Sequence, residues 1–197
     1  MEWMKQPGLL GSRSPRRQEL LQRLGLDFRV EKADIDESIP EWVQPAEAAE
    51  WLACQKAQAL QDLRQPHEWL ITADTMVLLD GAMLNKPRDH EEAHSMLFRL
   101  SGKTHIVKTG VCVHYDDQVR SFSEETRVHF FPLTGQEIET YVRGHEVLDK
   151  AGAYGIQDWL GLVGVSGIDG CFFNVMGLPT PRLVQTMNNT PHGTPQN

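Results

Sequence analysis

No run of about 18 apolar residues occurs in the 197-residue sequence, which excludes a membrane-spanning helix. The first ten residues carry Trp3, Lys5, Gln6 and Pro7 where a secretory signal needs an apolar centre. Cysteine is scarce: Cys54, Cys112 and Cys171 stand 58 and 59 residues apart, with no C-x-x-C. A zinc ribbon and a thioredoxin-type pair are thereby excluded. The odd, dispersed count is what reduced and mostly buried thiols show, so a cytoplasmic location is expected. A P-loop is missing too, since G-x-x-x-x-G-K-[ST] does not occur. Positive charge is in deficit, with 19 Lys and Arg against 27 Asp and Glu and a formal charge of −8. That balance argues against wrapping a nucleic-acid backbone. It leaves open a small anionic ligand held by a few local cations. There is no internal repeat and no low-complexity linker.

At about 150 residues per domain, the length suits one domain with a sizeable core. Hydrophobic residues make up 40% and charged residues 23%, ordinary for a globular chain. Strand and helix signals alternate along it. Leu9 and Leu10 end a short strand, and Ser14-Pro15 is an N-cap followed by proline at the first helical position. The periodicity predicts a helix over about 45–63 and a strand over 69–79 that ends at Asp80-Gly81. Asp89 caps a helix with Ala93, Met96, Leu97 and Leu100 inward. Two long strands, about 104–115 and 118–131, join at Asp116-Asp117. Thr134 and Glu137 form a capping box for a helix over about 135–143. Short strands are expected around 160–165 and 171–175, and a last helix from Pro179. The fold class is α/β with a mixed sheet flanked by helices.

Several places carry unusual chemistry. Gly11-Ser12-Arg13-Ser14-Pro15-Arg16-Arg17 puts three guanidiniums and two hydroxyls between a strand end and a helix start, where free backbone N–H groups and the helix dipole favour an anion. The same residues also suit an ordinary capped helix with solvated arginines. Asp74 interrupts the apolar strand Ile71 to Leu79, which is costly unless the carboxylate is paired or bound to a metal. It is a candidate for proton abstraction or ligation. Asp36-Glu37-Ser38, Lys56 and Lys86-Pro87-Arg88 read singly as solvated charges; together they offer carboxylates to a divalent cation and ammonium groups to phosphate oxygens. His90-Glu91-Glu92-Ala93-His94 matches H-E-x-x-H, but both histidines lie roughly 70–110° from the centre of the apolar helix face, towards solvent. Gln157 ends a glycine-rich run from Asp149, and its amide has the donor and acceptor needed to read a base edge.

Taken in order, Ser12 to Arg17, Asp36 to Ser38, Leu52-Ala53 with Lys56-Ala57, Ala73 to Thr75, Lys86 to Arg88, Leu100 to His105, Leu148 to Gln157, and Asn174 to Pro179 make the chain resemble the Maf family of nucleoside triphosphate pyrophosphatases. The resemblance implies a two-lobed fold like that of the inosine triphosphatases, with one domain over residues 1–188 and an active cleft between its lobes; the polar composition of 189–197 predicts a disordered tail. It implies hydrolysis of a nucleoside triphosphate to the monophosphate and pyrophosphate with a divalent metal, Mg²⁺ or Mn²⁺. By the family pattern Asp74 accepts the proton, Ser12, Arg17, Lys56 and Lys86 contact phosphates, and Glu37 with Asp74 meets the metal. Arg16, Thr75 and Gln157 match the branch acting on dTTP and UTP; the 7-methyl-GTP branch carries Trp, Gln and Glu there. The resemblance leaves room for a homodimer and calls for no nucleic acid or membrane. Asn85 departs from the glycine usual before Lys-Pro, and Gly170-Cys171-Phe172-Phe173 departs from Gly-Ser-Tyr. A nucleotide sensor without turnover, linked to cell division, and a zinc peptidase built on His90 and His94 are the competing functions.

Overall fold

The computed structural model describes residues 1–189. The chain forms two compact units: residues 1–74, 109–124 and from 177 onward make the first, and residues 75–108 and 125–176 the second. Seven strands, β1 (Gly8–Leu10), β2 (Phe28–Val30), β3 (Trp69–Leu79), β4 (Ala82–Leu84), β5 (Thr104–Tyr115), β6 (Gln118–Phe130) and β7 (Val165–Asp169), hydrogen-bond in the order β2-β1-β3-β5-β6-β7, with β4 on β3. β1 pairs parallel with β2 and β3, while β3–β4 and β6–β7 are antiparallel, so the sheet is mixed as expected. Among the described residues no helix is long and apolar enough to cross a membrane.

In the first unit, Pro15 starts helix α1 (Pro15–Arg23), and Leu20 and Leu21 are buried beneath it. Helix α2 (Ala48–Leu60) turns Ala49, Leu52, Ala53, Lys56, Ala57 and Leu60 inward. Leu9, Leu70, Cys112, Ala53, Ala57 and Leu60 share one apolar cluster. The small residues of this face let the helix approach β5 closely. At Gly110 a Cβ would stand 2.2 Å from the Glu50 amide nitrogen and 2.3 Å from the Ala49 carbonyl carbon. Neither backbone atom can swing aside, and α2 carries Lys56. Gly110→Val is therefore expected to destabilise the protein by about 2–3 kcal/mol through overpacking, seen as a lowered urea midpoint at unchanged m-value. An unchanged midpoint would contradict the close approach. Trp3, on a 3₁₀ turn over Glu2–Lys5, is fully buried, and its indole donates to Asn188 Oδ1 at 2.9 Å; no local pattern foretold this. Helix α7 (Thr180–Asn188) closes the unit where the last helix was expected.

In the second unit, Asp89 caps α3 (His90–Leu100) by accepting the Glu92 N–H, and Thr134 and Glu137 complete the capping box of α4 (Gly135–Gly144). Ala93, Met96, Leu97 and Leu100 of α3 and Ile138, Tyr141 and Val142 of α4 are buried. His105 is buried against Phe130 and Tyr154, its Nε2 2.7 Å from the Tyr154 hydroxyl. Burial, then the nearby His129, holds this imidazole down at about 4, so it is neutral near pH 7.

Two expected strands are helices instead. Residues 160–165 fall mostly in α5 (Trp159–Gly164), and 171–175 in α6 (Phe172–Met176), with β7 between them. The chain coils after Asp158 because its carbonyl accepts the N–H groups of both Gly161 and Leu162. It coils again after Cys171, whose carbonyl accepts from Asn174 and Val175. Cys112 is buried, but Cys54 and Cys171 are half-buried, so the expectation of mostly buried thiols holds for only one of the three. Of the expected tail, 190–197 lies outside the described residues.

Candidate active site

In the first unit, six of the candidate residues draw together. Asp74 closes the β3 segment of this unit, and Lys56 reaches it from the inner face of α2. The Lys56 ammonium lies 2.5 Å from Asp74 Oδ1 and 2.7 Å from Glu37 Oε1. Its side chain is 11% exposed and that of Asp74 17%, so the pair is mostly withdrawn from water while Glu37 stays open at 54%. A lysine on a buried face is tolerated because two carboxylates meet it. Glu37 is presented by a local turn: Ser38 donates through its N–H (2.9 Å) and its hydroxyl (2.7 Å) to the Asp36 carboxylate, which these bonds hold below its ordinary value.

Ser12 follows the end of β1 and is nearly buried. Its hydroxyl oxygen accepts from Arg17 Nη1 at 3.0 Å and from the Ser14 N–H at 3.3 Å. Arg17 Nε donates to the Gly177 carbonyl at 2.8 Å, which pins the guanidinium from behind. Burial lowers the Arg17 pKa, and Arg16 adds to this, while Asp74 and Glu37 oppose it. Arginine stays charged regardless. Ser12, Arg16, Arg17, Glu37, Lys56 and Asp74 thus share one electrostatic neighbourhood. Ser14 makes no side-chain cap, so its hydroxyl is not spent on the helix as the capped-helix reading supposes.

The remaining candidates belong to the second unit. Thr75 is half-buried on β3, and Lys86 is exposed in the loop after β4. The Asn85 carbonyl accepts the Gly152 N–H at 3.3 Å, tying this loop to the glycine-rich run. That bond uses backbone alone, so asparagine serves at 85 as well as glycine. Gln157 is half-buried, and its Nε2 donates to Asp158 Oδ1 at 3.0 Å. Gly177 and Asp158 hydrogen-bond candidate residues and Tyr141 holds Asp158, contacts to which sequence reasoning assigned no role. Arg17 and Gly177 are 160 residues apart, and neither Tyr141 nor Asp158 stands out by type or spacing.

His90 is exposed and His94 half-buried; with Glu91, Ser95, Phe98, Glu139, Val142 and Arg143 they line a hollow of about 580 Å³. Among the described residues no group of three or more His, Cys, Asp or Glu is placed to hold a metal ion. H-E-x-x-H is here the first turns of a helix, with His90 exposed and His94 half-buried, and no third ligand stands with them among the described residues.

The family profile described as Maf-like protein matches residues 8–190. The chain belongs to the Maf family. Curated Maf relatives include the dTTP/UTP pyrophosphatase of Phocaeicola vulgatus, 48% identical over 176 residues, which cover 89% of this chain and 91% of that protein. The protein of the same name from Porphyromonas gingivalis is 45% identical over 92% of each chain. That from Bacillus pumilus is 46% identical over 93% of this chain and 97% of its own. Among solved structures, the nucleoside-triphosphatase / dITP/XTP pyrophosphatase of Mycobacterium abscessus aligns with 92% of this chain and 94% of its own at 10% identity, with a TM-score of 0.42.

Proposed function

We propose that this Maf protein hydrolyses dTTP and UTP to the nucleoside monophosphate and pyrophosphate, as a cytoplasmic enzyme with one catalytic domain over residues 1–188. The observation that carries the reading is the Asp74–Lys56–Glu37 cluster, in the same neighbourhood as Ser12 and Arg17. The names of its relatives support the same activity. In this reading Asp74 takes the proton of a water attacking the α-phosphorus. Lys56 donates to Oδ1, leaving the second carboxylate oxygen as the acceptor. Proton removal raises the nucleophilicity of the water as the bond to pyrophosphate breaks. Arg17, Lys56, Lys86 and the Ser12 hydroxyl bind phosphate oxygens, which matters because a triphosphate brings about four negative charges. Arg16, Thr75 and Gln157 face the base.

The donor set fits a divalent cation of the Mg²⁺ type. Glu37 and Asp74 offer hard oxygens, both turned to one ammonium, and Mg²⁺ is commonly held by one or two carboxylates with water and substrate phosphates completing its shell. Held by Glu37 and Asp74, Mg²⁺ or Mn²⁺ would supply charge neutralisation for the leaving pyrophosphate.

The test is turnover of UTP, dTTP, CTP, GTP and 7-methyl-GTP with Mg²⁺ or Mn²⁺, following monophosphate and pyrophosphate. UTP and dTTP are expected to exceed CTP by about one to two orders of magnitude in kcat/KM, the usual penalty for unmatched polar groups. Preference for 7-methyl-GTP, or tight binding without turnover, would overturn the proposal.

A further inference from the structure

Resting on the reading that Gln157 faces the base, we infer that Asp158 is a positioning residue for base recognition: its carboxylate fixes the Gln157 carboxamide in the one of its two orientations that matches uracil and thymine rather than cytosine. A primary amide turned by 180° exchanges its NH₂ and its oxygen with almost no change of shape. A glutamine free to turn can therefore meet either pyrimidine edge. With the oxygen towards N3 it accepts the imide N3–H of uracil or thymine and gives an N–H to the adjacent carbonyl. Turned over, it gives an N–H to the bare N3 of cytosine and accepts from the exocyclic amine. Glutamine by itself does not discriminate, so something must stop it from turning.

Asp158 has the chemistry to do so. Gln157 Nε2 donates to Asp158 Oδ1 at 3.0 Å, and a carboxylate only accepts. The turned amide would set oxygen against oxygen. The carboxylate is itself held: the Tyr141 hydroxyl donates to Oδ2 at 2.9 Å, and the Lys150 ammonium stands 3.8 Å from the same oxygen. Tyr141 in turn receives the Gly155 N–H at 3.1 Å, and the Asp158 N–H donates to the Gly155 carbonyl at 3.1 Å. Burial pushes the Tyr141 phenol well up, so it remains a donor. The fit is close: a Cβ on Gly155 would stand 2.5 Å from Asp158 Oδ2 and 2.7 Å from Gln157 Nε2. On the other side of the amide, Gln157 Oε1 is buried and accepts no hydrogen bond among the described residues. One end of the amide is committed to Asp158, and the other is an unpaired acceptor screened from solvent, which a base reaches only once the loop around it opens. An imide N–H is a donor to it, and cytosine N3 is not.

The experiment measures kcat/KM for UTP and CTP on the wild type, Asp158→Asn and Gln157→Glu, with the side-chain amide proton resonances of Gln157 followed in the wild type. Asparagine at 158 can donate to a turned Gln157 as well as accept from an unturned one, so Asp158→Asn is expected to reduce the UTP/CTP ratio about tenfold, chiefly by raising CTP relative to UTP. In the wild type one Gln157 amide proton should be shifted and slow to exchange. A uniform loss with both substrates at an unchanged ratio overturns the inference, because a merely structural carboxylate would act that way. Should Asp158→Asn not fold, a pair of Gln157 amide proton resonances at the shifts of a free glutamine side chain, both exchanging fast with water in the wild type, overturns it alone. A wild type without UTP preference, or an unchanged ranking in Gln157→Glu, overturns the base-facing reading of Gln157 and the inference with it. An intact preference that depends on Gln157 but not on Asp158 overturns only the inference.

Discussion

Asp74→Asn is expected to lower kcat at least about 10²-fold with the fold intact, the scale of losing a general base or a metal-ligating charge. The substitution is isosteric, and the asparagine carbonyl oxygen can still accept from Lys56, so the 2.5 Å contact survives in kind. What disappears is the negative charge and the ability to take a proton. Stability should change little, since Lys56 keeps Glu37 as an ionic partner at 2.7 Å. The measurement is steady-state pyrophosphate release beside a thermal unfolding curve. Turnover close to wild type in a folded Asp74→Asn protein would remove Asp74 from the centre of the mechanism. A large fall in Tm would instead show that the carboxylate mainly balances a half-withdrawn lysine.

Asp74 was legible as an anomaly, a carboxylate inside an apolar strand, whereas Lys56 read singly as a solvated charge and proves to lie on the buried helix face. Their partnership was not legible. They stand 18 residues apart, and the packing of α2 on the sheet, at Gly110 and through the Thr72 hydroxyl donated to the Ala53 carbonyl, brings them together. α1, α3, α4, β3, β5 and β6 were readable because their signals are local and long enough: Pro15, the caps at Asp89 and Thr134, the turn at Asp80-Gly81. Trp159 to Gly164 was misread because a six-residue apolar run has no period that separates strand from helix. A carbonyl taking two N–H groups decided it, and that is a property of the folded loop. Asp158 went unnoticed for the same reason. The sequence shows a carboxylate after Gln157, but not that the backbone turns it back onto the glutamine amide.

Lys56→Met should lower kcat/KM by about 10–10²-fold, the value of roughly 1.5–3 kcal/mol for hydrogen bonds to charged groups. The size follows from what the ammonium touches. It lies between Asp74 and Glu37, so removing it leaves two carboxylates facing one another in a partly dry place. A triphosphate then meets more negative charge and one cation fewer, and KM for the nucleotide should rise. A divalent cation meets the opposite change, and its half-saturating concentration should fall. Methionine retains the length of the side chain on the inner face of α2, so packing against β3 is largely preserved. Lys56→Arg keeps the charge but offers a planar fork in place of a point charge, and should recover only part of the activity. Nucleotide KM and metal half-saturation measured on the same variants separate the roles. If Lys56 only balances buried charge, nucleotide KM stays put while stability drops. If it binds phosphate beside Asp74, the two constants move in opposite directions.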